Sequence, residues 1–289
     1  MKKQAYFKYI SSLLLFGSNG IVASYILLSS HEIVFTRTLI GSLFLIVIFI
    51  LSKGKFQGWR NKKHFGYIII SGIAMGAAWM FLYEAYQQIG VSFATLAYYC
   101  GPVIVIALSP VLFRERLTAP RILGLFAVLI GMLFVNGKDL LQGGFSWGLF
   151  CGVMSALMLA LMIIFNKKAV SITGLENSIY QLITSFFAVT VFTLIKQGIT
   201  FSFGLQNIFP ILFLGIVNTG IGCYLYFSSI QQLPSQSVAI IGYLEPLSAL
   251  IFSAVLLQER LIFIQIAGAV LILGGAILGE FFHNNYSRR

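Results

Sequence analysis

Glu245 and Pro246 stand side by side in the middle of an apolar stretch that runs from about Ser237 to Leu257. About 20 apolar residues at 1.5 Å rise cross the hydrocarbon of a bilayer, so this stretch is long enough to be a membrane span. Proline has no N–H to donate to the carbonyl four residues back, here that of Gly242, so the pattern predicts a broken helix and a freed carbonyl. A charged side chain at that depth costs about 2.5–3.5 kcal/mol on insertion scales and is tolerated only against protein or a watery cavity. Glu245 is therefore a candidate proton site or a partner for a substrate amine. Pro102 repeats the break 144 positions earlier and leaves the carbonyl of Tyr98 without its usual donor, while Gly101 stands where the carboxylate would be. Two interrupted apolar helices in corresponding positions point to a binding site near the membrane midplane.

Other residues could complete such a site. Tyr98 and Tyr99 flank the Pro102 break and Tyr243 lies beside Glu245, at a depth where a phenol needs a polar partner. Asn19 interrupts the first apolar run, and a buried amide likewise needs partners. Arg37 sits about one turn inside the second run, where it either snorkels to the outer interface or anchors an anionic group. Trp79, Tyr83 and Tyr86 share a helical face with Glu84 nearby, a pattern that lipid belts and packing also produce. The small and polar stripe Gly215, Thr219, Gly222, Tyr226 and Ser229 reads as close helix packing, as do the glycines spaced by seven at 124, 131, 268 and 275.

Composition frames these choices. The chain has 289 residues, 58% of them hydrophobic and only 9% charged, with a mean hydropathy of +0.93. Soluble domains carry about 25% charged residues, so an integral membrane protein is expected. The formal charge of +11 would suggest nucleic acid in a soluble protein. Here the cations fall at the ends of apolar runs and form no basic face interleaved with aromatics, which argues against a nucleic-acid partner. Three cysteines far apart in apolar runs indicate packing, and neither a disulfide framework nor a metal site is expected. No nucleotide-binding loop, nucleophile elbow or metalloprotease motif occurs, so neither an enzyme nor a cofactor is expected, and any pumping would draw on an ion or substrate gradient.

Ten apolar spans can be drawn, at about Tyr9–Leu28, Ile33–Leu51, Phe65–Tyr86, Phe93–Phe113, Ile122–Val135, Ser146–Phe165, Ile179–Ile195, Ile208–Ser229, Ser237–Leu257 and Ile262–Phe282. With both termini cytoplasmic, fifteen cations fall inside and only Lys138, Lys196 and Arg260 outside, Arg37 being within a span. A shift of 144 also aligns Gln87-Gln88 with Gln231-Gln232, Tyr99 with Tyr243, Pro102 with Pro246, and Glu115-Arg116-Leu117 with Glu259-Arg260-Leu261. Arg37 then pairs with Gln181. The expected fold is all-α, ten transmembrane helices as two inverted five-helix repeats, residues 1–140 and 141–289; odd repeats enter the membrane in opposite senses.

Ala97-Tyr-Tyr-Cys-Gly-Pro102 with Phe113-Arg-Glu-Arg-Leu117, and Gly242-Tyr-Leu-Glu-Pro246 with Leu257-Gln-Glu-Arg-Leu261, carry a resemblance that covers essentially the whole chain. The sequence resembles the drug/metabolite transporter superfamily, EamA type, and Arg37 matches that family's early second-helix arginine. The resemblance implies a central cavity opening alternately to each side, with the fourth and ninth helices beside it. The resulting expectation is a secondary transporter of the bacterial inner membrane that exports a small amino-acid-like or drug-like metabolite, with the proton as coupling ion. Its site would comprise Glu245, Arg37, Tyr98, Tyr99, Tyr243, Asn19, Trp79 and Glu84, with the breaks at Pro102 and Pro246 exposing carbonyls to the cavity. Import, uniport, or a non-transporting scaffold or lipid-handling role are the alternatives, and the protein would be a monomer or homodimer in the lipid bilayer.

Overall fold

A computed structural model describes residues 2–89, 91–136, 147–196, 207–256, 258 and 262–286. The expected outer cations Lys138 and Arg260, the Glu259-Arg260-Leu261 motif and the terminal Arg288-Arg289 pair lie outside the described residues. Among the described residues regular structure is entirely helical: α1 (Lys2–Gly17), α2 (Asn19–Ser24), α3 (Ser30–Leu51), α4 (Lys62–Ile89), α5 (Val91–Tyr98), α6 (Gly101–Phe113), α7 (Ala119–Asn136), α8 (Trp147–Lys168), α9 (Gly174–Lys196), α10 (Ile208–Phe213), α11 (Gly222–Ile230), α12 (Ser235–Ile241), α13 (Leu244–Leu256) and α14 (Phe263–Tyr286), with a π-helical segment at Leu214–Ile221 between α10 and α11 and a 3₁₀ turn at Gly58–Arg60. Six of the helical stretches, at His31–Leu51, Lys62–Ile89, Trp147–Lys168, Gly174–Ile195, Ile208–Ile230 and Ser235–Leu256, are long and apolar enough to cross a membrane, and shorter apolar helices stand beside them. Outward faces carry bare apolar side chains such as Val111, Ile195 and Phe263, while amides and an arginine lie inside. That inversion is what a lipid solvent selects.

The two expected breaks occur where the prolines require them, but the prolines begin the new helices. Pro102 is the second residue of α6 and Pro246 the third of α13, in the first turn where the missing N–H would have had no intrahelical partner. The carbonyl of Gly242 does not stay free. It accepts the N–H of Glu245 at 3.1 Å, because a tighter turn supplies the donor that the proline withholds. This corrects the expectation that the Pro246 break exposes that carbonyl to the cavity. A third interruption, at Ser18 between α1 and α2, holds its hydroxyl against the carbonyl of Leu15 at 2.7 Å.

Close helix crossings follow from small residues. A Cβ added at Gly124 would meet the carbonyl of Gly275 at 2.5 Å, and one at Gly131 the carbonyl of Gly268 at 2.6 Å, so α7 and α14 run antiparallel with backbones in contact. α4 lies against α8 and α9, and α3 against α9 and the π segment. One end of the molecule is tied by polar groups. The Glu115 carboxylate accepts the N–H groups of Ser235 and Gln236 at 2.6 and 3.1 Å, and the Gln236 side chain receives Arg121 and reaches Ser109. Gln231 donates to the carbonyls of Asn166, Ala169 and Ile172 at the end of α8. Glu115 and Gln231 thereby satisfy backbone groups that an apolar interior would otherwise leave unpaired, while the Gln236 amide links two side chains.

Candidate functional site

The breaks converge on one interior cavity of about 70 Å³. Its walls come from α1, the start of α2, α3, α4, α5, α6, α8, α11, α12 and the start of α13, with Tyr99 and Gly242 at the breaks. Arg37, Asn19, Trp79, Tyr98, Tyr99, Pro102 and Glu245, all expected from sequence, line it. Tyr9, Phe16 and Tyr226 join them. Tyr226 belongs to the stripe that reads as helix packing, and Tyr9 lies beside Lys8 at the edge of an apolar run, where nothing in the spacing marks it.

Arg37 does not snorkel. It is 4% exposed, and its Nε donates to the Thr219 hydroxyl at 2.9 Å. Its guanidinium stands 4.7 Å from the centre of the Trp79 ring, within cation–π range. The Nη2 nitrogen, also buried, has no hydrogen-bond partner among the described residues. A guanidinium anchored on one edge and unsatisfied on another, at a cavity wall, is suited to bind an anion such as a carboxylate. The π segment explains how Thr219 reaches it. The wider turn lets the Thr219 hydroxyl donate to the carbonyl of Leu214, five residues back, at 2.8 Å while accepting from Arg37. Helical segments of this kind recur at functional sites because they redirect side chains.

The π segment also carries Asn218, which no spacing argument singled out. Its amide nitrogen lies 2.9 Å from the carbonyl of Leu15, 2.8 Å from the Ser18 hydroxyl and 2.9 Å from Oδ1 of Asn19. One buried side chain thereby ties the π segment to the α1–α2 break and fixes which way the Asn19 amide faces. Removing these donors strands partly buried acceptors, at about 1 kcal/mol. Asn218→Ala should lower the melting temperature of detergent-purified protein measurably, and Asn218→Asp, which keeps the shape but loses the donors, should do at least as much harm. An Asp variant as stable as the parent would show that these bonds do not hold the break.

Two expected site residues lie elsewhere. Tyr243 is fully buried away from the cavity, packed with Val128, Met132 and Ile272, and its hydroxyl donates to the carbonyl of Tyr99 at 2.7 Å. Tyr243 lies in the turn between α12 and α13, and that turn sends its ring away from the cavity that Glu245 lines. Glu84 lies between α4 and the start of α8, with Gln88 Nε2 at 3.5 Å and Trp147 Nε1 at 3.4 Å from its Oε1. Neither lines the cavity, and Pro246 is also set back from it. No cluster of His, Cys, Asp or Glu able to hold a metal occurs among the described residues.

Comparison with known proteins agrees with this architecture. A solved crystal structure, 16% identical, superposes with a TM-score of 0.85 over 99% of both chains, a likeness of fold. An uncharacterized transporter of Bacillus subtilis, YxxF, is 26% identical over 96% of this chain and 89% of its own. An uncharacterized inner membrane transporter of Salmonella typhimurium, YicL, is 25% identical over 91% of each. A Salmonella typhimurium protein named as a probable amino-acid metabolite efflux pump is 27% identical over 65% of this chain and 67% of its own. The EamA-like transporter family profile matches residues 4–137 and again residues 146–279. This multi-pass membrane protein belongs to the EamA-like transporter family.

Proposed function

We propose that the chain is a secondary transporter of the cytoplasmic membrane that exports a small amino-acid-like metabolite by alternating access. In this reading ten transmembrane helices form two inverted repeats, residues 1–140 and 141–289, with both termini cytoplasmic. The observation that carries the reading is one cavity bounded by a buried guanidinium with an unsatisfied nitrogen, Arg37, and a carboxyl group, Glu245, with Trp79, Tyr98 and Tyr226 in the same wall. A zwitterion with an apolar side chain fits that chemistry, its carboxylate on Arg37, its ammonium on Glu245 and its side chain against the rings. The cavity is far smaller than the roughly 300–1,000 Å³ of ligand sites. Entry of substrate therefore requires the half-helices to move apart at the breaks.

The inverted repeat is supported by contacts between counterparts. Tyr99 and Tyr243, 144 positions apart, have ring centres 6.0 Å from each other, as residues beside a pseudo-twofold axis would. The Gly124–Gly275 and Gly131–Gly268 approaches exchange under the same operation. Arg114 and Gln258, again counterparts, share a left-handed backbone with φ of 56° and 57°. The name of the Salmonella typhimurium efflux pump and the twofold match of the family profile support the substrate class and the repeat.

Counterflow in proteoliposomes, screened across amino acids and their amides, tests the transport reading. With a substrate in hand, an imposed proton gradient should accelerate transport by the parent. Glu245→Gln should still exchange substrate but lose that acceleration, because a neutral amide carries no titratable proton. An unchanged gradient response in Glu245→Gln would remove proton coupling from Glu245. No exchange of any compound by the parent would sink the transporter reading itself.

A further inference from the structure

Residues 52–61, which join α3 to α4, and the first turn of α4 hold Lys53, Lys55, Arg60, Lys62 and Lys63 and no acid, and all five cations are exposed. Charge alone would orient the chain in the membrane even on a slack loop. This loop is built. α3 ends in a paired closure, Lys53 N–H to the Ile50 carbonyl and Gly54 N–H to the Phe49 carbonyl, both 3.0 Å, with Lys53 left-handed at φ 55°. Glu176 at the start of α9 accepts the N–H groups of Gln57 and Gly58 at 2.6 and 2.7 Å, so this acid is engaged with backbone. Phe56 packs against Phe49 with ring centres 4.3 Å apart and the rings tilted by 34°. The Trp59 indole donates to the Phe56 carbonyl at 3.1 Å and remains 62% exposed. α3 and α4 are each long and apolar enough to cross a membrane, which puts the segment joining them at its surface.

We propose that this loop is a docking surface for the headgroups of anionic phospholipids, with Trp59 seated at the headgroup level. The five cations supply charge complementarity to a phosphate-bearing, net negative headgroup, and an exposed indole is the side chain that favours the interface between headgroup and acyl chain. The interior cavity and the transport reading play no part in this, so their failure leaves it standing.

Fluorescence quenching by brominated lipid tests it in the full chain. Trp147→Phe removes the other exposed indole, leaving Trp59 as reporter and Trp79 as an interior background. In phosphatidylcholine vesicles containing brominated phosphatidylglycerol, quenching should report a preference of about fivefold or more for the glycerol lipid over brominated phosphatidylcholine. Molar salt should reduce that preference to about onefold. Replacing all five cations by glutamine should do the same. Equal quenching by the two brominated lipids, or a preference that survives both salt and the glutamine variant, would overturn the assignment. The salt arm uses the unaltered loop and is decisive even if the glutamine variant does not fold.

Discussion

Arg37→Met is expected to weaken substrate binding about a hundredfold, some 2.7 kcal/mol at 1.4 kcal/mol per tenfold. The expectation rests on the divided use of the guanidinium. Nε is committed to Thr219 and Nη2 is not committed to any described protein group, so a substrate carboxylate would complete an otherwise unsatisfied buried cation. Methionine fills the volume and keeps the contact with Trp79 but offers no donor. Arg37→Lys should lose about tenfold, since a single ammonium cannot hold Thr219 and the substrate in the same geometry. Trp79 fluorescence provides the binding signal, its ring being 4.7 Å from the guanidinium. The discriminating comparison is an amino acid against its amide. The parent should prefer the acid and Arg37→Met should lose the preference. Equal discrimination by both proteins would reduce Arg37 to a structural residue.

Gly275→Leu is expected to unfold the α7–α14 crossing. A Cβ there would lie 2.6 Å from the Gly124 carbonyl and 2.9 Å from Val128, and the nearest obstacle is backbone, which cannot rotate aside. The helices must separate along their length, forfeiting dispersion contacts that drive association in lipid, at several kcal/mol. The adjacent Gly274 is the internal control. It is exposed, nothing stands within 4 Å of its added Cβ, and Gly274→Leu should leave stability within about 0.5 kcal/mol or raise it slightly. Thermal unfolding in one detergent decides the matter. Similar melting temperatures for the two variants would mean that the crossing does not depend on the absence of a side chain.

The helices, their breaks and the glycine contacts were legible because each is a local consequence of composition. Apolar runs of membrane length, prolines within them and glycines at helical spacing act through rules that involve only near neighbours. The site was legible to the extent that burial at membrane depth marks a polar residue as costly, and Glu245, Arg37 and Asn19 stand out on that ground. What spacing could not supply was direction. Tyr243 shares the depth of Glu245 but faces the other way, and that depends on how the broken helix turns before Pro246. Glu84 is as buried as a site residue, yet it faces Gln88 near the end of α4 and Trp147 at the start of α8. Asn218 and Tyr226 sit on a helix that reads as ordinary packing. Their importance follows from the π geometry of Leu214–Ile221, for which the sequence carries no recognisable signal.

That π segment amounts to a stored insertion. Gly222 N–H reaches back to Val217 as well as Thr219, so the helix accommodates one residue more than an α-helix of equal length. Deleting a single residue such as Ile216 would let the segment relax into regular α-helix, a locally favourable change. Because a π-bulge absorbs its extra residue locally, the flanking helices would keep their phase and Tyr226 its place in the cavity wall. Thr219 would lose the widened turn that brings its hydroxyl to Arg37. A frame-preserving loss of one codon is thus expected to yield a well-folded protein in which the guanidinium has lost its Thr219 anchor.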